Sequence, residues 1–198
     1  MMASLPDNMH MLCESLLWPL NVFYAHYGRE MPGITPLFPQ HVPEPYKQLL
    51  VHKRNMTPTL AAYHDSSLFI ERLHEFPANR ETTREVILRT ETEEKPVEYG
   101  ASRVFLPGLT DKAIALIEEG RVPLGTVLKI CDCRHTVEPS GYFKIKPTAF
   151  FKEVLGAVPT ISLYGRCNRL VALDGTVLAE VCEVLPPLNG DATIRGDK

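Results

Sequence analysis

Residues 83–107 read TREVILRTETEEKPVEYGASRVFLP. Two extended runs flank the polar, charged stretch Thr90–Lys95, so the segment predicts two strands joined by a turn. Side chains alternate between the faces of a strand. Arg84, Val86 and Leu88 therefore share one face of the first strand, and Val97, Tyr99, Ala101, Arg103 and Phe105 share one face of the second. Each row is apolar apart from its arginine. A strand with one wet face normally keeps its charges on that face. A guanidinium does not give up its charge, so an inward one needs an anion. The anion comes either from the protein, as a buried ion network, or from a ligand.

The C-terminal third carries a second strand signal. Arg169–Leu173 and Thr176–Leu185 flank Asp174-Gly175, a two-residue hairpin signature. On the last strand Val177, Ala179, Val181, Glu183 and Leu185 share a face, which makes Glu183 an acid in an apolar row. Glu180 falls on the other face with Thr176, Leu178 and Cys182.

Between and before these hairpins the periodicity is helical. Residues 7–17 predict a first helix with Asp7 as N-cap, and residues 31–45, with five prolines, an extended connector. Tyr46–His52 predicts a short helix. Thr57-Pro58 reads as an N-cap followed by a first-turn proline, which leaves Met56 on a turn whose amides can meet an anion. Ser67–His74 is expected to open the sheet. Leu109–Glu119 predicts a helix capped by Thr110 and ended by Gly120. Residues 126–133 and 142–146 read as short strands, and Phe150–Leu155 as a helical turn. The order gives an α+β class: one antiparallel sheet with helices packed on one face. The whole chain, 1–198, is expected to be one domain, with an N-terminal segment 1–45, a core 46–187 and a tail 188–198.

Composition narrows the function classes. Of 198 residues, 44% are hydrophobic and 23% charged, the balance of an ordinary globular protein. A net charge of −3 and the lack of a basic run argue against nucleic acid as a partner. Five scattered cysteines suit reduced thiols in the cytoplasm. The spacing of Cys131, Cys133 and His135 lacks the second pair that a zinc site needs. No dinucleotide motif appears, so neither metal nor cofactor is expected. No apolar run is long enough for a membrane span. With no heptad repeat and enough apolar residues for one core, a monomer is expected.

Several short motifs in order resemble the chorismate pyruvate-lyase family. They are Asn55-Met-Thr57, Thr83–Leu88, Gly100–Pro107, Val122-Pro-Leu-Gly125, Tyr164-Gly-Arg166 with Asn168-Arg-Leu170, and Glu183-Val-Leu-Pro186. The resemblance spans residues 45–187. It implies a single antiparallel sheet over a closed cavity, a carbon–oxygen lyase forming 4-hydroxybenzoate and pyruvate from chorismate, and no cofactor. It also implies site residues. Arg84 would hold a ligand carboxylate and Arg103 would line the site. Backbone groups at Met56 and Leu124 would contact the ligand, and Glu183 would be the acid on the last strand. Glu183 stands one residue nearer its proline than the family pattern, so Glu180 stays open as the alternative. On this reading Glu183 and Arg84 carry catalysis, and the partner is a small carboxylated ring. Two other functions fit the same fold: an enzyme reassigned to another carboxylated or polyketide-like substrate in a secondary pathway, and a non-catalytic small-ligand sensor.

Overall fold

The computed structural model describes residues 17–158 and 160–188. Its strands are β1 (Ile34–Leu37), β2 (Leu68–Pro77), β3 (Glu81–Thr90), β4 (Pro96–Phe105), β5 (His135–Ile145), β6 (Leu163–Ala172) and β7 (Val177–Leu185). All neighbours pair antiparallel, in one seven-stranded sheet ordered β1-β5-β6-β7-β4-β3-β2. The α+β class with one antiparallel sheet is thus as the sequence indicates. The two hairpins read from sequence, β3–β4 and β6–β7, meet through β4 and β7 at the centre of the sheet.

The helices are α1 (Leu20–His26), α2 (Tyr46–Leu50), α3 (Met56–His64), α4 (Asp111–Glu119), α5 (Leu124–Ile130) and α6 (Ala149–Leu155). Four of them cover one face of the sheet in two pairs. Tyr46, Leu49 and Leu50 of α2 and Met56 and Leu60 of α3 pack with Ile70 and Leu88. Ala113 and Ile117 of α4 and Val127 and Leu128 of α5 pack with Val104, Leu170 and Leu178. The space between the pairs is the cavity. The reverse face is closed by α1 and α6, whose Leu20, Phe23, Phe151 and Leu155 meet Ile87, Tyr99, Ala101 and Val184.

Local chemistry explains most element ends. The Thr110 hydroxyl accepts the Ala113 N–H at 3.3 Å and starts α4, and Gly120 ends it with φ +70°. Helix α3 starts at Met56 with Asn55 as its N-cap, two residues earlier than Thr57-Pro58 suggests. The expected strand over residues 126–133 is instead the helix α5. Its apolar residues Val127 and Leu128 turn inward while Ile130 is exposed, a helical rather than an alternating pattern. The Pro-rich connector contributes the edge strand β1. The helix expected over residues 7–17 lies outside the described residues except for Leu17, as does the tail beyond Leu188.

The reverse face holds one buried charge. Glu85 is fully buried and accepts hydrogen bonds from Arg29 at 2.5 Å and from the Tyr99 hydroxyl at 2.7 Å, with His74 Nδ1 2.7 Å from its other oxygen. Both of its oxygens are engaged, so this carboxylate is a structural anchor for α1 and the segment after it.

At the centre of the sheet, Gly165 is required by close approach. A Cβ there would collide with the Glu183 carbonyl oxygen and lie 2.5 Å from Phe143 Cζ. Gly165→Ala is expected to lower stability by about 1–3 kcal/mol or more, because backbone on one side and a packed ring on the other cannot give way. The urea midpoint of the variant measures this, and an unchanged midpoint would show that the sheet relaxes there.

Candidate functional site

Antiparallel register decides which polar residues meet. Arg84 of β3 stands opposite Ser102 of β4, and Leu88 opposite Glu98. Residues that face each other across a pair lie on one side of the sheet. Arg84, Val86 and Leu88 therefore share a face with Ser102, Gly100 and Glu98, and all six line the cavity. On β7 Ser102 faces Val181 and Gly100 faces Glu183, which adds that acid to the lining. On β6 Arg166 stands opposite Glu183, and Arg166, Asn168 and Leu170 complete the floor. The roof is the start of α3 (Asn55, Met56, Thr57) and the turn into α5 (Pro123, Leu124, Gly125). The cavity has about 630 Å³ of atom-free space, part of it open to solvent.

Arg84 is 2% exposed, donates one hydrogen bond to the Ile117 carbonyl at 3.2 Å, and has its Nε buried without a partner. No carboxylate lies within ion-pair distance of it among the described residues. Burial pulls its pKa down to about 10. Glu75, its cross-strand neighbour on β2, acts on that charge from beyond ion-pair distance.

Arg166 is the opposite case. It is fully buried, and its Nε donates to Glu183 Oε2 at 2.5 Å. Its Nη atoms reach the carbonyls of Leu50 at 3.2 Å, His52 at 3.1 Å and Arg54 at 3.2 Å, and also His52 Nδ1 at 3.2 Å. A guanidinium only donates, so His52 Nδ1 is an acceptor here. Burial, then the charges of Arg166 and Arg54, hold the His52 pKa down to about 4. Glu183 Oε2 also accepts from Asn168 Nδ2 at 3.2 Å. Beside them Glu98, 4% exposed, leaves Oε2 unpartnered. Burial first, and then the charge of Glu183, push its carboxyl well above the usual range.

Of the residues singled out from sequence, Arg84, Met56, Leu124 and Glu183 come together on this cavity, and Arg103 does not. Arg103 pairs with Thr83, one residue out of step with Arg84, and so projects from the reverse face. There it donates to Glu81 at 2.6 Å, lies 3.8 Å from Glu180 and stacks over Phe105 at 4.7 Å. Both arginines do occupy apolar rows, but the rows lie on opposite faces. The choice between Glu183 and Glu180 resolves in favour of Glu183 in the cavity, with Glu180 on the Arg103 side. The sequence reading assigned no role to Arg166, Asn168 and Glu98. Arg166 and Asn168 alternate on β6 on the side that Glu183 faces, but the strand read from sequence began only at Arg169. Cys131, Cys133 and His135 bond main chain and Asn55. No group of three metal-ligating side chains gathers among the described residues, and no helix there is long and apolar enough to cross a membrane.

No family model matches the sequence, and no curated protein does. Solved structures do match in shape. PhnF from Mycobacterium smegmatis superposes with a TM-score of 0.51 at 10% identity, covering 84% of this chain and 93% of that one. The effector domain of the same protein gives 0.50 at 11% identity, over 67% and 88%. The ligand-binding domain of a putative GntR-family transcriptional regulator from Bordetella bronchiseptica gives 0.47 at 12%, over 67% and 90%. The first two assign the fold, which is chorismate lyase-like. They do not extend to the lyase activity. Those two structures carry the names of PhnF and its effector domain, not of a lyase, and the expectation of a carbon–oxygen lyase making 4-hydroxybenzoate is corrected accordingly. The geometry agrees with the correction. Arg103, expected to line the site, is on the wrong face, and the Glu183 oxygen nearest Arg166 is already bound by two donors.

Two predictions test the polar floor. Glu183→Leu strands the Arg166 charge and is expected to cost about 3–5 kcal/mol of stability. Glu183→Leu with Arg166→Met should recover part of it, and a double variant no better than the single one would show that the pair is not coupled; denaturant midpoints decide. For His52, the unfolded chain takes up its proton near 6.5 and the folded chain only near 4. Between those values the unfolded state binds more protons, so stability is present above pH 6.5 and falls as pH drops toward 4. His52→Gln should reduce the difference in melting temperature between neutral pH and about pH 4.5; an unaltered difference assigns the acid sensitivity elsewhere.

Proposed function

We propose that the chain is a small-molecule sensor domain whose cavity binds a ligand with an apolar body through a carboxylate held on Arg84. The observation that carries this reading is the buried Arg84 guanidinium, with Nε unpartnered and no carboxylate at ion-pair distance among the described residues, in a pocket whose apolar wall is Met56, Ile70, Val86, Leu88, Leu124 and Leu170. Leaving a charge desolvated costs stability. A carboxylate meets a guanidinium fork with two charge-assisted hydrogen bonds and removes that cost. Main-chain groups at Met56 and Leu124 supply further contacts from the roof. The likeness in shape to an effector domain supports a role in recognition. Under this reading the net charge of −3 no longer argues against nucleic acid, because that partner is not met at this cavity.

Benzoate and its neutral analogue benzamide test the grip. The protein is expected to bind benzoate in preference to benzamide, and Arg84→Met to erase the preference. The benzoate affinity should fall at least about 30-fold, the lower end of the roughly 2–5 kcal/mol for truncating one partner of a buried charge pair. Without ligand, Arg84→Met should melt at the same temperature or higher, since it replaces an unpaired buried cation with an apolar chain of similar length. A marked loss of stability would make Arg84 a structural residue, and equal binding of benzoate and benzamide would sink the carboxylate assignment.

A further inference from the structure

We propose that the cavity has a second recognition end, where Glu98 and Glu183 receive an ammonium group on the same ligand. The natural ligands are then ω-amino carboxylates, in which an apolar spacer separates the two charges. This rests on the carboxylate reading of Arg84 and adds what the other end of the ligand must be.

The argument begins with hydrogen-bond supply. At the Arg84 end donors are in surplus. At the other end an acceptor is open. Glu98 is 4% exposed with Oε2 unpartnered. Arg166, the cation at this end, directs its remaining N–H groups away to the carbonyls of Leu50, His52 and Arg54. Buried polar atoms in native proteins are almost always bonded, so the open Glu98 carboxyl calls for a partner, whereas Asn168, 3% exposed with Oδ1 unpartnered, stands in the row of Val181, Ser102 and Arg84. An ammonium brings three N–H donors and the charge that two neighbouring carboxyls lack.

Charge supports an ammonium over a neutral hydroxyl. Glu98 faces Glu183 and, more distantly, the Cys182 thiol from β7, and Arg166 from β6. Burial and the Glu183 charge favour its protonated form. An ammonium placed between the two carboxyls reverses that preference. Glu98 then ionises, the proton passes to solvent, and the ligand keeps all of its own. With the carboxylate on Arg84 and the ammonium on Glu98, every charge in the cavity has an opposite.

Spacing excludes an α-amino acid. Ser102, opposite Arg84, lies four residues from Glu98 along β4, about 13 Å of strand at about 3.3 Å per residue. Glu183, opposite Gly100, lies about halfway, near 7 Å. The two charges of an α-amino acid share one carbon and cannot reach both ends. Gly100 keeps the floor between them open: a Cβ there would lie 3.3 Å from Val86 Cγ2 and 3.4 Å from Glu98 Oε1.

Isothermal titration with three probes decides the matter. They are 4-methylbenzoate, 4-(hydroxymethyl)benzoate and 4-(aminomethyl)benzoate, titrated at neutral pH in phosphate and in Tris, whose ionisation enthalpies differ. The amine is expected to bind at least about tenfold more tightly than the methyl probe. It should release close to one proton per site, and the methyl probe none. In Glu98→Gln the amine and methyl probes should bind alike. The proton release is read on the unaltered protein, so the test stands even if the variant does not fold. Arg84-dependent binding of the methyl probe with no gain from the amine overturns this inference and leaves the carboxylate reading intact. An equal gain from the hydroxymethyl probe, without proton release, overturns the ionic assignment. Failure of all three probes to bind overturns both readings.

Discussion

The ion pair between Arg166 and Glu183 holds the site to the sheet. The two residues face each other on adjacent central strands, with N–O at 2.5 Å and both side chains out of water. Such a pair offsets its desolvation only when its remaining donors and acceptors are also bonded. Here they are bonded outward. Arg166 collects three carbonyls from residues 50–54, between α2 and α3, where helix and strand bonds are lacking. The guanidinium thus orders the segment that delivers Asn55 and Met56 to the cavity wall, and Glu183 keeps the guanidinium in place.

Three arginines on this sheet show how surroundings, not residue type, assign a role. Arg166 is saturated and structural. Arg103 sits half-covered at the reverse face, paired with Glu81 and stacked on Phe105. Arg84 is the most isolated, with one carbonyl for company. In a low-dielectric interior a missing partner costs more than a present one contributes. Stability alone would favour an apolar residue at 84, so the unpaired charge marks the position where recognition and stability pull apart. Glu98 is its acidic counterpart a few residues along the same floor. Glu85 on the reverse face, bonded through both oxygens, shows the same sheet satisfying a buried acid where no ligand is to be met.

The likeness in shape to PhnF and its effector domain comes at 10–11% identity. At that distance the backbone is shared and the cavity chemistry is not thereby carried across. What this cavity recognises is written in a handful of side chains on β3, β4, β6 and β7. The sheet holds them rigidly, while α3 and α5 approach from above and set the depth of the pocket.

The sequence by itself determined the strands around residues 83–107 and 169–185, because alternation and turn chemistry are local properties. It determined α4 through its Thr110 cap and terminal Gly120, and it marked Arg84 and Glu183 as charges in apolar rows. It misread residues 126–133 as strand, since a short apolar run fits both periods and only the packing of Val127 and Leu128 against the sheet chooses the helix. It placed Arg103 beside Arg84 because each strand's alternation was read alone. Which face of one strand joins which face of the next is a matter of register, and register is a tertiary fact: Arg84 meets Ser102, so Arg103 must point the other way. For the same reason the sequence assigned no role to Glu98, Asn168 and Arg166. Each is an ordinary polar residue on its own strand. Only the sheet, bringing β4, β7 and β6 side by side and burying them under four helices, gathers them on the lining of one cavity.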